Sequence, residues 1–441
     1  MGRWDDVHAL RFPGRTFDRT SGVAAFTYSL SDELRFTESV TFPVPDEPPG
    51  EAVWTAFDRV LDLLYVAVST SYYKVAAPRK VVLDPIRLAK DALPWVTALY
   101  GEGLGEFAYT NDLSYVLNLD LVPGGHPTPA KPFDNADRPP LVPVGGGKDS
   151  IVSIETLRPL SPVLFAVNPN PIIRDVMAVA DLPVLAARRT LDARLRELNA
   201  EGAYNGHIPV TAINSLIAVG TALLNGLGPV VMSNESSASI PNLTWHERDI
   251  NHQWSKGLPA ESLLRAALSA HAGLTDAYFS LLRGLSELHI ARTFARYTAY
   301  DHVVTSCNAA FKLSGASDRW CGNCPKCRFV FLALAPFTGR ERLVGIFGKD
   351  MLADQGQSMG YRELLGLSAH KPFECVGEIE ESQVAWHLLT EHPDWSGLPM
   401  VRRLADELPR LPGDAEVAHA FAGDAPSLVP AAYQKLLDAT R

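Results

Sequence analysis

Apolar and polar positions alternate along VAAFTYSL and LRFTESVTFPV near the N-terminus, the period-two pattern of antiparallel strands. Pro43, Pro45, Pro48, Pro49 and Gly50 end that pattern, and TAFDRVLDLLYVAVS continues at helical spacing. From residue 141 short apolar runs alternate with helical stretches. LVPV precedes a glycine turn and IVSIETLR, VLFAVN leads to RDVMAVADL, and VLAAR leads to LDARLRELNA. A long helix around Thr211–Leu224 precedes the strand VVMSN. Strands alternating with helices predict an α/β fold with a doubly wound parallel sheet.

VPGGHPTPAKPFDNADRPP, from Val122 to Pro140, reads as a long linker. Beyond about Phe337 the chain reads as helices and loops without a chemical signature. The expected organisation is an α+β region over 1–135, an α/β region over 136–336 and a helical region over 337–441.

Composition narrows the function classes. Of 441 residues 46% are hydrophobic and 20% charged, enough apolar material for a large core. A net charge of −10 argues against a nucleic-acid partner, whose phosphates need a basic face. His207–Met232 carries no Asp, Glu, Lys or Arg, but Gly226, Gly228 and Pro229 interrupt it short of a spanning length. It is expected to be a buried helix and strand. The N-terminus lacks the basic-then-apolar order of a signal peptide. No membrane partner and a cytoplasmic location are expected.

Three glycines, Gly145, Gly146 and Gly147, stand between an apolar strand and a helix in LVPVGGGKDSIVSIETLR. Glycines admit positive φ and bring backbone N–H groups close to an anion, and the helix N-terminus adds its dipole. Lys148 supplies a cation and Ser150 a hydroxyl. Asp149 suits a phosphate only through a metal ion such as Mg²⁺. A Walker loop needs glycine at Val142 and Ser or Thr at Asp149, and a dinucleotide fingerprint needs glycine at Ser150. The alternative to a phosphate seat is a glycine-rich turn with an incidental helix cap.

Cys307 and the run CGNCPKC place four of the five cysteines, Cys307, Cys321, Cys324 and Cys327, within 21 residues. The two-residue gaps can aim successive thiolates at one ion, and four thiolates would make a closed, structural zinc site. Such a site can stabilise a small loop-rich unit by roughly 10–16 kcal/mol. An iron–sulfur cluster and reduced free thiols are the competing readings. Cys375 stands alone and reads as a buried small hydrophobe.

VGGGKDS resembles the Ser-Gly-Gly-x-Asp-Ser PP-loop of the ATP pyrophosphatases, with Gly145 in place of the serine. The resemblance implies a doubly wound adenine-nucleotide-binding domain, with ATP at the C-terminal ends of the strands. The cysteine run is similar to that of 7-cyano-7-deazaguanine synthases, whose chains are far shorter. SYYKVAAP, PVGGGKDS, MSNESSAS and NHQWSK, with the order of the three regions, are similar to the ATP-dependent UDP-N-acetylmuramoyl-L-alanyl-L-glutamate epimerases. That resemblance implies ATP, Mg²⁺ and structural Zn²⁺, and a UDP-linked muramoyl dipeptide as substrate. It also implies inversion of the terminal glutamate through an acyl-adenylate, with release of AMP and pyrophosphate in peptidoglycan precursor synthesis.

Other polar groups are candidates by position. Asn234 and Glu235 follow an apolar strand, where α/β ligands bind. His246, Asp249, His252 and Lys256 crowd WHERDINHQWSKG and are candidate proton-transfer groups, against the alternative of a solvated polar loop. Tyr72, Tyr73 and Lys74 could stack a uracil or pair with a phosphate, but two aromatics closing a core edge is the preferred reading. His207 reads as a loop histidine, and Asn168 and Asn170 as strand-end groups near an adenosine. Competing functions are another adenylating enzyme, such as a nitrile-forming synthase, a tRNA thiolase or an amide ligase, and a regulator that holds ATP without cleaving it.

Overall fold

The structure is a computed structural model that describes residues 7–135, 137–311, 319–368 and 376–440. Cys375 lies outside the described residues. The alternating N-terminal segments become β1 (Ala9–Asp18), β2 (Val23–Ser29) and β3 (Arg35–Thr41), an antiparallel meander. The apolar run after the proline cluster is the helix Glu51–Tyr73, followed by the short strands β4 (Lys80–Val82) and β5 (Asp120–Val122).

The alternating βα units supply β6 (Leu141–Pro143), β7 (Val163–Val167), β8 (Val184–Thr190) and β9 (Val230–Met232). A hairpin of β10 (Leu243–Trp245) and β11 (Arg248–Ile250) stands apart, and β12 (Tyr278–Ser280) completes the set. One mixed sheet has the order β12-β9-β6-β7-β8-β3-β2-β1-β4-β5. From β12 to β8 it is parallel. Ser39 of β3 then pairs antiparallel with Thr190 of β8. Regions 1–135 and 136–336 therefore share one sheet.

Read from β8, the parallel half runs β8-β7-β6-β9-β12, the 3-2-1-4-5 order of a doubly wound sheet. Its direction of winding reverses between β6 and β9, and that crevice is where such sheets bind ligands. Side chains alternate across it, as a strand's pleat requires. Leu141, Phe165, Val230 and Tyr278 enter the core on one face, and Val142, Leu164, Val231 and Phe279 the core on the other.

The charge-free segment is the helix Val210–Leu224, buried against Glu51–Tyr73. No helix among the described residues is long and apolar enough to cross a membrane. Residues beyond 337 form helices, including Ile379–Glu391 and Pro399–Glu407, around the buried Trp386 and Trp395.

Candidate functional site

The glycine loop joins β6 to the helix Lys148–Leu157 at the winding reversal. Gly146 has φ +88°, a conformation that glycine adopts without strain, and its carbonyl accepts from Thr305 N at 3.1 Å. A Cβ on Gly147 would stand 2.5 Å from Ser306 Oγ, so any larger residue would have to turn that hydroxyl away. Gly145 is exposed, and a Cβ there would meet nothing within 4 Å. A serine would fit, and its absence removes a hydroxyl rather than relieving a clash. Ser150 Oγ donates to Gly147 O at 2.9 Å, closing the first helical turn.

Lys148 points inward and is buried between the carboxylates of Asp149 and Glu287. Burial works against its charge, but Asp149 and then Glu287 outweigh that and hold the ammonium well above the ordinary lysine value. Glu287 opens the helix Glu287–Phe294 after β12, and its second oxygen lies 3.6 Å from Lys326 Nζ. Burial alone would raise its pKa; Lys148, Lys326 and Lys256 together bring it down to about 2. Glu235 lies just past β9 and is buried. Burial, and then repulsion from Glu287 and Asp149, push its carboxyl above the usual range against the pull of Lys256 and Lys326. Asn234 Nδ2 donates to Ser280 Oγ at 3.0 Å, fastening the ends of β9 and β12 together. The candidates at the strand ends thus meet in one charged cluster.

The four cysteine sulfurs all lie within 4.8 Å of one another, with Cys324–Cys327 at 3.4 Å and Cys321–Cys327 at 3.8 Å. Tetrahedral zinc–thiolate bonds of about 2.3 Å put sulfurs about 3.8 Å apart, so the donor set fits zinc. The cluster adjoins the loop at both ends. Thr305, which bonds Gly146, also accepts from Cys307 N at 3.0 Å, and Lys326 stands between Cys324 and Cys327.

His252 and Lys256 part company with His246 and Asp249. The latter pair sits on the exposed β10–β11 hairpin, whose turn residues His246 and Glu247 have φ 48° and 60°. His246 borders a separate cavity of about 400 Å³ with Arg79 and Arg248, and Asp249 accepts from Thr244 Oγ1 at 3.1 Å. Crowding in sequence does not carry over into space here, because a tight hairpin turns its tip to solvent.

His252 instead meets Glu106 and His207. Its Nδ1 bonds Glu106 Oε2, His207 Nδ1 is 3.7 Å from the same oxygen, and the two rings lie 4.5 Å apart. Burial, then repulsion by His252, and also by Lys256 and Lys74 against the pull of Glu106, lower His207 to about 4. Lys256 follows four residues after His252, its Nζ donates to Gln253 Oε1 at 3.2 Å, and its charge acts on His207 as well as on Glu235 and Glu287.

Tyr72 and Tyr73 are fully buried in the core, and Lys74 Nζ donates to Asn205 Oδ1 at 2.6 Å. Asn168 is tied to the backbone of Arg189, and Asn170 caps the helix Pro171–Ala180.

Glu106, Glu287, Lys326 and Glu381 had no signal in the sequence, and His207 only a weak one. Glu381 Oε1 accepts from Glu287 N at 3.0 Å, and burial followed by repulsion from Glu287 raises its carboxyl to about 8. It borders a cavity of about 1030 Å³ whose walls also include Ser236, Ser286, Glu416 and Asp424. That acidic lining suits a nucleotide phosphate poorly.

The MurL N-terminal domain family matches residues 1–281, and the MurL C-terminal domain family matches residues 303–419. Relatives named UDP-N-acetyl-alpha-D-muramoyl-L-alanyl-L-glutamate epimerase occur in Micromonospora sp. and Salinispora tropica. Both are 58% identical over 438 residues, covering 98% of this chain and 98% and 96% of theirs. A relative of the same name in Xanthomonas oryzae pv. oryzae is 40% identical over 432 residues, 97% of this chain and 96% of its own. No solved structure matches the chain. Matched along nearly its whole length, the chain belongs to the MurL epimerase family.

Proposed function

We propose that this protein is an ATP-dependent epimerase that inverts the terminal L-glutamate of UDP-N-acetylmuramoyl-L-alanyl-L-glutamate, in peptidoglycan precursor synthesis. The observation that carries the reading is the glycine loop at the winding reversal, with Lys148, Glu287 and Lys326 behind it, in a chain that also gathers Glu106, His207 and His252. A regulator that only holds ATP has no use for that second cluster.

The α-proton of a glutamate beside an ionised carboxylate is hard to remove, because the electron pair would build on an anion. Joining the carboxylate to AMP removes that charge. Backbone amides of Gly145–Gly147 and Ser150, as a PP-loop, would seat the β- and γ-phosphates of ATP. Lys326 would draw negative charge from the departing pyrophosphate, while Lys148, buried between Asp149 and Glu287, would hold those two carboxylates in place. Asp149, with Glu235 near it, supplies the carboxylates that would hold Mg²⁺, which when bound would neutralise phosphate charge. His252 and Lys256 are then the proton-transfer groups of the four candidates, and water releases AMP from the inverted product.

Structural zinc on Cys307, Cys321, Cys324 and Cys327 would fix the start of the helix Pro325–Leu334 and with it Lys326. We assign nucleotide chemistry to 136–336 and substrate recognition to 1–135, and place the reaction in the cytoplasm, where ATP and nucleotide-linked sugars are available.

Incubation with Mg-ATP and the UDP-muramoyl dipeptide tests the reading. AMP, pyrophosphate and D-glutamate in the hydrolysed product are expected, and Asp149→Asn should lose about a hundredfold or more in AMP formation. AMP formed only with some other acceptor would favour a different adenylating enzyme.

A further inference from the structure

Glu106, His207 and His252 come from three separate stretches of chain. Glu106 lies on the helix Gly105–Thr110, His207 in the loop before Val210–Leu224, and His252 after the hairpin. A second bond holds the last stretch to the first. Trp254 Nε1 donates to Glu102 Oε2 at 2.7 Å, in the turn that leads into the helix Gly105–Thr110. The His252–Lys256 segment is therefore fastened to this stretch at two points, Glu102 and Glu106, which restrains a group that must meet a substrate proton.

Inversion at a carbon needs proton donors or acceptors on opposite faces. Each must come within about 3 Å of the hydrogen it moves, which sets the two nitrogens roughly 6 Å apart with the carbon between them. Imidazole rings with centroids 4.5 Å apart and packed on one another leave no room for that carbon. They belong to one face.

Resting on the epimerase reading, we propose that Glu106, His207 and His252 form one proton-transfer station serving a single face of the substrate's α-carbon, with His252 as the catalytic residue, and that Lys256 serves the opposite face. Glu106 is a positioning residue: a carboxylate at Nδ1 keeps the proton there and makes Nε2 the basic nitrogen. His207 closes the station from the side.

In one direction His252 Nε2 takes the α-proton while the C–H electron pair moves onto the activated carbonyl, giving an enolate. The Lys256 ammonium then returns a proton to the other face as the carbonyl re-forms. His252 ends as imidazolium and Lys256 as amine, and exchange with solvent resets both. The reverse direction exchanges their roles.

The same three side chains could hold a divalent cation, since their donor atoms lie within 4.8 Å of one another. Lys74 and Lys256 already repel positive charge at His207, and they would oppose a metal ion as well. That charge distribution favours neutral imidazoles.

Deuterium entry at the α-carbon, followed by mass spectrometry in D₂O with Mg-ATP, tests this from each epimer of the UDP-muramoyl dipeptide separately. His252→Asn is expected to lose about a hundredfold or more of the exchange from one epimer and to keep it from the other. Lys256→Gln should show the mirror image, and Glu106→Gln should weaken the same epimer as His252→Asn. Substrate-driven ATP–pyrophosphate exchange reports that each variant folds and binds. Loss from both epimers, retention from both, or the same epimer lost in both His252→Asn and Lys256→Gln overturns the proposal. Exchange that requires an added divalent ion, bound by the parent protein but not by His207→Ala, overturns it in favour of a metal site. If the parent protein incorporates deuterium from neither epimer, the epimerase reading falls and this proposal with it.

Discussion

Arg283 and Glu261 face each other inside the protein, Nη2 to Oε2 at 3.0 Å, each side chain only 1% exposed. The guanidinium also donates to the carbonyl of Glu235 at 2.6 Å and to that of Lys256. One buried cation therefore ties the backbone at Glu235 to that at Lys256. Glu261 extends the clamp by accepting from Ser280 N at 3.0 Å, at the end of β12.

Removing one partner strands the other. Arg283→Met leaves Glu261 buried without its cation and should cost about 3–5 kcal/mol in urea unfolding. Adding Glu261→Leu should recover much of that stability, because no charge then remains to be buried. Turnover should stay low in the double variant, since Glu235 and Lys256 have lost their common anchor.

Zinc removal should act on the loop as well as on stability. Cys324→Ser is expected to abolish tight binding of one zinc per chain, measured by metal analysis, and to lower Tm. Because Lys326 stands two residues beyond Cys324 and 3.6 Å from Glu287, AMP formation should fall with metal content.

Glu381 gives the protein a pH-dependent term of definite sign. Its carboxyl is raised from 4.5 to about 8, so between those values the folded state keeps a proton that the unfolded state has lost. Its contribution to stability is therefore full below about 4.5 and declines by about 1.4 kcal/mol per pH unit up to about 8. Glu381→Gln should flatten the fall in urea midpoint between pH 6 and pH 8. An unchanged slope would mean that the carboxyl is already ionised at pH 6.

The exposed hairpin serves as an internal control. His246→Asn and Asp249→Asn should change stability by less than about 0.5 kcal/mol and leave kcat near that of the parent. His252→Asn, six residues beyond His246, should lose turnover.

Local chemistry made much of the molecule legible in advance. The period-two runs of β2 and β3, the βα alternation from Leu141 and the apolar helix Val210–Leu224 all follow from backbone periodicity and burial. At Gly146 a positive φ of 88° favours glycine, so the glycine run carried structural information. The cysteine spacing was legible too, because a Cys-x-x-Cys turn sets its own geometry.

What composition and spacing determined, then, is the set of elements, the glycine turn and the converging thiols, since each depends on neighbours a few residues away. Tertiary structure alone decided that β3 would join β8 in one sheet and that Glu287 and Lys326 would stand behind the loop. It also decided that Glu106 would meet His252 across 146 residues of chain while His246 turned to solvent. Those outcomes depend on how distant segments pack, and no local pattern of residues carries that distance.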